Sequence, residues 1–174
     1  MSVQTLNIPP GVPSDGNVRV DFVPDGGLAD YTAPSAAEVA AATAQNLSCH
    51  LFGIGENATE ERKEKRRLCS VQKYELLGST AYTIDDLSYV YDVQNPESLT
   101  HEAYAALVPG TTGFLVIRWG IASGVAPAAA QVVDVYPVRL GAQRKQAPEE
   151  NDELTTLQSL VVTGDKVTDV ELAA

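Results

Sequence analysis

Residues 68–93 read LCSVQKYELLGSTAYTIDDLSYVYDV and contain the densest run of strand-forming residues in the chain. Tyr, Thr, Val and Ile recur through the stretch, and such β-branched and aromatic residues favour strands. The stretch predicts one strand from Leu68 to Leu77 and another from Thr80 to Val93, separated by Gly78-Ser79. It therefore indicates a protein built mainly from β-strands.

Further strands are expected on both sides of this stretch. Apolar and polar residues alternate over Asn17–Pro24, which predicts a strand with one buried face. The last two segments of the chain should form a hairpin around Gly164-Asp165. The apolar residues of 154–163 also fit helical spacing, so a helix is an alternative for this segment, although its Thr and Val clusters favour a strand. The later predicted strands are Phe114–Trp119, Gln131–Leu140, Leu154–Thr163 and Lys166–Leu172.

Two short helices are expected between the strands. Ser35 and Glu38 have the spacing of a capping box, which predicts a helix from there to about Gln45. A second helix is predicted from Asn95-Pro96 to about Leu107, because Asn favours the N-cap and Pro the first helical position. Its apolar face would carry Leu99, Ala103 and Leu107. Two polar, charged connections are predicted at 53–67 and 141–152.

The order of these elements indicates the fold class and the domain organisation. About seven strands follow one another without alternating helices, so the sheets should be mainly antiparallel. A chain of 174 residues is long enough for one domain with a sizeable core. Residues 1–16 are polar and contain Pro9, Pro10 and Pro13, which predicts an extended N-terminal arm. Residues 17–174 would then form a single β domain.

Charge is distributed unevenly along the chain. Twelve Lys and Arg stand against 23 Asp and Glu, a formal net charge of -11. The segment Glu60–Arg67 holds five of the bases and three of the acids, a net of +2, which leaves 7 bases and 20 acids elsewhere, a net of -13. A basic element on an acidic body suits head-to-tail contact between identical copies, although such a run is usually only a solvated surface. The candidate contact residues are Arg62, Lys63, Lys65, Arg66 and Arg67.

No cofactor, metal or catalytic group is expected. Gly53–Ala58 matches the G-x-G-x-x-A pattern of dinucleotide-binding loops, but the following TEERKEKRR lacks the apolar stripe that would pack a helix on a sheet. Cys49 and His50 would point to opposite faces of a strand, so they make a poor zinc site with Cys69 and His101. Asp85 and Asp86 are unsuited to acid/base catalysis for the same reason.

The N-terminal sequence and the net charge limit where the protein is expected to be located and what it is expected to bind. MSVQTLNIPP has neither the charged start nor the apolar run of a signal peptide, and no apolar run reaches transmembrane length. We therefore expect no membrane contact, folding in the cytoplasm, and reduced thiols at Cys49 and Cys69. An acidic chain should also repel nucleic acid, and a surface past which DNA slides without binding would use that property.

Four segments in order resemble the major tail proteins of long-tailed bacteriophages, most closely those that infect actinobacteria. The resemblance covers about residues 65–174 well and the first 60 poorly. The segments are RLCSVQKYELLGSTAYTIDDLSYVYDVQNP (67–96), YAALVPGTTGFLVIRWG (104–120), VVDVYPVRLGAQ (132–143) and PEENDELTTLQSLVVTGDKVTDVELA (148–173).

The resemblance implies a fold and a role. It implies an antiparallel β-sandwich or barrel-like core with a helix beside it, and a virion protein without catalytic residues. Rings, typically of six subunits, would stack into a tail tube around a tape-measure protein, be closed by a tail-terminator protein, and let DNA leave through the lumen. Another β-rich virion component (a head–tail connector, a tail terminator or a capsid decoration protein) and a monomeric ligand-binding β-sandwich are the alternatives.

A tube of this kind also gives the acidic residues a possible place. Repulsion between subunits argues against placing the excess acid at the ring interface, so the outer wall and the lumen remain. Asp169 and Glu171 alternate with Val170 and Leu172, which predicts an exposed acidic face. The candidate lumen-facing acids are Asp169, Glu171, Asp134 and Asp85.

Overall fold

The structure is a computed structural model that describes residues 9–174; the first half of the predicted arm, residues 1–8, lies outside the described residues. Residues 9–16 are exposed and precede the first strand. The described residues form ten strands and two short helices. In chain order these are β1 (Val18–Pro24), α1 (Ala36–Val39), β2 (Gln45–Asn46), β3 (Leu51–Gly53), β4 (Glu56–Arg66), β5 (Lys73–Ile84), β6 (Leu87–Val90), α2 (Glu102–Ala106), β7 (Thr112–Trp119), β8 (Val132–Lys145), β9 (Thr155–Val162) and β10 (Val167–Glu171).

Eight strands form one antiparallel sheet, in the order β2-β1-β7-β8-β9-β6-β3, with β10 also paired to β8. The larger of two apolar cores contains residues of β1 together with Leu87 and Tyr89 of β6. These two strands are four positions apart, which is about 19 Å in a flat sheet. Since they share one core, the sheet is curled over itself. The predicted mainly β, antiparallel sandwich or barrel-like class is confirmed.

Each face of the sheet has its own apolar core, because successive residues of a strand point to opposite faces. In β7, Leu115 and Ile117 point into the larger core, whereas Val116 points into the smaller one. The larger core is covered by α2 and β6, and the smaller by α1 and the end of the chain. The buried residues of the smaller core are Val23, Leu28, Val39, Val116, Val133, Val135 and Leu172.

The two final strands were predicted correctly, but their predicted hairpin is wrong. Both β9 and β10 are antiparallel to β8, so they run in the same direction and cannot pair as a hairpin. β9 pairs with the second half of β8, from Val138 onward, and β10 pairs with its start, up to Val135. The chain therefore continues along one edge of β8 across Gly164-Asp165. The alternative of a helix from Leu154 is excluded.

The largest correction concerns residues 53–84. The predicted connection 53–67 is mostly strand β4, and Gly78-Ser79 lies inside β5. The two strands form a separate two-stranded sheet, and their turn is at residues 67–72. Gly78-Ser79 instead coincides with a register shift between Glu60 and Arg62, where an added Cβ on Gly78 would lie 3.2 Å from the Glu61 Cβ. Gly78 is therefore part of a β-bulge and not of a turn.

The helices are shorter than predicted. The capping box is present, with the Glu38 amide donating to Ser35 Oγ at 3.3 Å, but α1 ends at Val39. The second helix begins near Leu99, in a 3-10 turn, rather than at Asn95-Pro96. Ala103 and Leu107 are buried as expected, whereas Leu99 is 75% exposed. The predicted connection 141–152 is also partly wrong, because β8 continues to Lys145.

Candidate assembly surfaces

The β4–β5 hairpin is long and exposed along almost its whole length. Its ten cross-strand pairs run from Glu56–Ile84 at the base to Arg66–Lys73 near the turn. Eleven residues of extended strand span about 35 Å. Every side chain of β4 is exposed, as is every side chain of β5 except Ile84. The hairpin therefore projects from the domain with both faces uncovered.

A charged and aromatic cluster fixes the base of the hairpin to the sheet. The Tyr136 hydroxyl donates to Glu56 at 2.6 Å, and Lys166 also donates to Glu56. The Lys166 Nζ lies 3.8 Å from the centroid of the Tyr82 ring, close enough for a cation–π contact. Burial acts to raise the pKa of Glu56, but the hydrogen bonds from Lys166 and Tyr136 outweigh it and hold that pKa below its usual value. Glu56 is therefore ionised at neutral pH and joins β4 to β8.

All five predicted contact residues lie together on this hairpin or its turn, and all are exposed. Arg62 pairs with Glu75 at 3.7 Å. Among the described residues, the other four have no ion-pair partner. The same end carries exposed apolar side chains, with Val71 96% and Leu77 70% exposed. A surface that combines unpaired cations with uncovered apolar groups is suited to contact with another chain. The four cations without an ion-pair partner are Lys63, Lys65, Arg66 and Arg67.

Three of the four candidate lumen acids are brought into one region by the β8–β10 pairing. Asp134 accepts hydrogen bonds from Trp119 Nε1 at 2.8 Å and from the Asp169 amide at 2.9 Å. Asp169 and Glu171 are exposed while Leu172 is buried, so the predicted alternation is confirmed. Asp169 has φ 55°, which Asp tolerates better than most residues. The proximity of Asp134 to Asp169 was not expected from the sequence, because the pairing of β10 with β8 was not predicted.

Asp85 does not lie in a strand, contrary to the prediction. It falls in the connection between β5 and β6 and accepts a hydrogen bond from Asn57 Nδ2 at 2.7 Å. The carboxylate also packs against Gly55, where an added Cβ would lie 2.2 Å from Asp85 Oδ2. Its contacts indicate a structural role where the hairpin leaves the sheet. The neighbouring Asp86 forms an ion pair with Arg144.

The sequence analysis missed a buried ionic network on the smaller-core face. Arg19 Nε donates to Asp21 at 2.7 Å, and burial, outweighing Arg19, raises the pKa of the Asp21 carboxyl. Arg118 is 2% exposed and donates to Gln131 Oε1 at 2.6 Å and to three carbonyl oxygens of the 120–131 loop. It therefore holds this loop against the sheet. The sequence feature that could have revealed the buried Arg118 is its position inside the otherwise apolar segment FLVIRW.

The motifs considered for cofactors and metals have ordinary structural settings. Gly53–Ala58 ends β3 and opens β4, so no helix follows the glycines to bind a phosphate. Cys49 and Cys69 are exposed and unpaired, and His101 is buried beside Tyr104. Residues 9–174 contain no group of three or more His, Cys, Asp or Glu that could hold a metal ion. Within the same range, no helix is long and apolar enough to cross a membrane.

A curled antiparallel sheet with a long, exposed hairpin defines a class of protein: a β-rich subunit whose uncovered strands are suited to pairing and packing with other chains. The family model for "Phage tail tube protein" matches residues 5–174, and the chain belongs to this family. The match includes most of the first 60 residues, which the sequence resemblance covered poorly. The comparison with curated proteins returns no match. Family membership gives the chain a structural role in the virion tail.

Proposed function

We propose that the chain polymerises into stacked rings, hexameric as in the tail proteins it resembles, and that these rings form the tube through which DNA is ejected. The observation that carries this proposal is the hairpin of residues 56–84. Both of its faces are uncovered, and its far end combines unpaired cations with exposed apolar side chains. Burial of such a surface requires another chain, and a tube supplies one to every subunit.

Two kinds of contact are needed for such a tube. A ring closes through a heterologous interface, and stacking requires a second interface along the axis. The sheet ends in the short strands β2 and β3, whose outer edges can pair within a ring. The hairpin projects by about 35 Å, enough to reach beyond its own ring. We assign it to stacking, with Arg62, Lys63, Lys65, Arg66 and Arg67 as inter-ring contacts.

The acidic residues of β8 and β10 are assigned to the lumen. Asp134, Asp169 and Glu171 lie on neighbouring strands, and a ring of copies would repeat the group around the axis. Phosphates are repelled by such a surface, so DNA passes without specific binding. Asp85 is not included, because its hydrogen bond to Asn57 explains its position.

The proposal includes the partners and the place of assembly. A tape-measure protein would fill the tube before DNA, and a tail-terminator protein would close its end, with assembly in the host cytoplasm. Residues 1–16 would act as an arm that orders against a neighbouring subunit, beside a single domain of residues 17–174. An actinobacterial host fits the segments that resemble such phages. The subunit would have no catalytic activity.

Electron microscopy of the purified protein tests the proposal. Tubes or stacked rings are expected at high concentration or with tape-measure protein. A single discrete ring would instead favour a head–tail connector, a tail terminator or a capsid decoration protein. A monomer that persists at high concentration, with or without tape-measure protein, would exclude the tube, and ligand-dependent melting would then favour a ligand-binding β-sandwich.

A further inference from the structure

An open apolar groove of about 920 Å³ lies at the β3 edge of the sheet, between β3, β6 and the residues before β9. Leu51, Val90 and Tyr91 line it together with three exposed apolar side chains. These three, Phe52, Leu99 and Leu154, are each more than half exposed. Side chains of this size are rarely left uncovered together, so the groove is suited to an apolar partner.

The groove is surrounded by acidic groups. Asp92 and Glu153 line it, and Glu102 lies beside it, with Oε2 3.8 Å from Nε2 of the lining His50. The segment leading to Glu153 adds three further exposed acids. One cation is near, since Lys145 Nζ lies 5.2 Å from the centroid of the Tyr91 ring. The balance is strongly negative, so the groove favours a basic partner. The three exposed acids of the segment leading to Glu153 are Glu149, Glu150 and Asp152.

The hairpin tip, residues 63–73, has the complementary composition. Its sequence KEKRRLCSVQK contains five bases and one acid, a net charge of +4. Leu68 and Val71 in the turn are almost fully exposed, and Tyr74 and Leu76 border a hollow in the following strand. The tip therefore offers apolar side chains within a basic rim, whereas the groove offers apolar side chains within an acidic rim.

We propose that the groove of one copy receives the hairpin tip of a second copy. This inference rests on the proposed tail-tube function and identifies the surface that the hairpin meets. No tip residue lines the groove of its own chain among the described residues, because β4 leads the tip away from the sheet. The contact joins two different surfaces of identical chains, so it repeats from copy to copy and does not close on itself as a two-fold dimer would.

The two cysteines of the chain allow a direct test. Cys49 lines the groove, Cys69 lies in the tip, and both thiols are exposed and free. Treating assembled tubes with a short bismaleimide should link Cys49 of one copy to Cys69 of the next. Because each chain carries both thiols, denaturing gels should show a ladder of multimers. Peptide mapping by mass spectrometry should identify the Cys49–Cys69 link.

Single-cysteine variants provide the matched controls. Cys49→Ser and Cys69→Ser should each form tubes but no ladder. Tubes assembled from a mixture of the two variants should give covalent dimers and nothing larger, which also excludes a link within one chain. A second variant, Asp92→Lys with Glu153→Lys, should lower the cross-linking yield several-fold, and adding Arg66→Glu with Arg67→Glu should restore part of it.

The outcomes separate this inference from the proposed function. Tubes that form normally but yield no Cys49–Cys69 link, or only Cys69–Cys69 links, would show that the tip binds elsewhere and would overturn the groove assignment alone. Failure of the unmodified protein to form tubes would overturn the tail-tube proposal itself. Links that persist unchanged after reversal of both groove acids would also count against the charge complementarity on which the inference depends.

Discussion

The strand β8 and the β4–β5 hairpin contain the longest strands of the molecule and have opposite surroundings. β8 has 14 residues, partners on both edges and a nearly continuous buried centre. β4 and β5 have 11 and 12 residues, pair only with each other, and are exposed almost throughout. An isolated two-stranded hairpin is marginal in water. The difference supports the proposal that the hairpin serves contact with other chains, whereas β8 stabilises the fold.

Removal of the hairpin should have the largest effect on assembly. Replacing residues 61–79 by Asn-Gly would join Glu60 to its partner Thr80 through a two-residue turn and keep the base cluster at Glu56. We expect a folded monomer with an unchanged melting temperature and no tubes, measured by calorimetry and electron microscopy. Normal tubes from this variant would contradict the assignment of the hairpin, and an unfolded product would show that it belongs to the core.

Matched leucine truncations should separate the two regions by stability. Leu115 is 0% exposed in β7, beside β8, whereas Leu77 in β5 is mostly exposed. Leu115→Ala should lower the free energy of unfolding by about 2–5 kcal/mol, because it leaves a cavity. Leu77→Ala should change it by less than about 0.5 kcal/mol. Denaturant unfolding of both monomers measures the difference, and equal losses would show that the hairpin is packed in solution.

The same contrast explains what the sequence could predict. β7 was predicted within two residues because FLVIRW is apolar apart from Arg118. β5 was predicted from its strand-forming residues, apart from the supposed break at Gly78-Ser79. β4 was missed because a strand exposed on both faces has no apolar alternation, so its charges resembled a loop. The pairing of β10 with β8 depends on long-range contacts that local sequence patterns do not contain. For the same reason, the proximity of Asp134 to Asp169 was not predicted.

Reversal of the hairpin charges should weaken assembly without unfolding the body. Arg66→Glu with Arg67→Glu changes exposed residues, so monomer stability should remain within about 0.5 kcal/mol. Tubes should form only at higher protein concentration and should respond less to added salt, because surface ion pairs are screened. Light scattering across a salt series measures both effects. The control is Arg139→Glu, which reverses an exposed cation outside the hairpin; identical behaviour of the unmodified protein and both variants would mean that the basic run is only a solvated surface.

The junction between the two regions should be sensitive to pH. Burial acts to raise the folded-state pKa of Glu56, but hydrogen bonds from Lys166 and Tyr136 hold it below its usual value. Its contribution is therefore fully present above the unfolded pKa and is lost as pH falls through the lower folded pKa. Glu56→Gln should melt at a lower temperature than the unmodified protein at neutral pH, and the gap should close in acid. A constant gap from neutral to acidic pH would mean that Glu56 acts through packing rather than charge.

The smallest effect on stability, with the most specific consequence, is expected at the acids of β10. Asp169→Asn is compatible with φ 55°, which Asn also tolerates, and it can be combined with Glu171→Lys at an exposed site. The pair raises the net charge by three units per copy, one from the loss of the Asp169 carboxylate and two from the exchange of Glu171 for Lys. Because neither side chain is buried, assembly should be nearly unchanged and stability should shift by about 0.5 kcal/mol or less.

DNA ejection should nevertheless be slower, because phosphates would meet cations repeated along the channel. Fluorescence of DNA released from purified virions measures the rate. Asp25→Asn with Glu97→Lys gives the same change in net charge at other exposed positions and is the matched control. Slower ejection in both variants would indicate a general charge effect. A normal rate in the Asp169 and Glu171 variant would place these carboxylates outside the DNA path and leave the outer wall of the tube as their location.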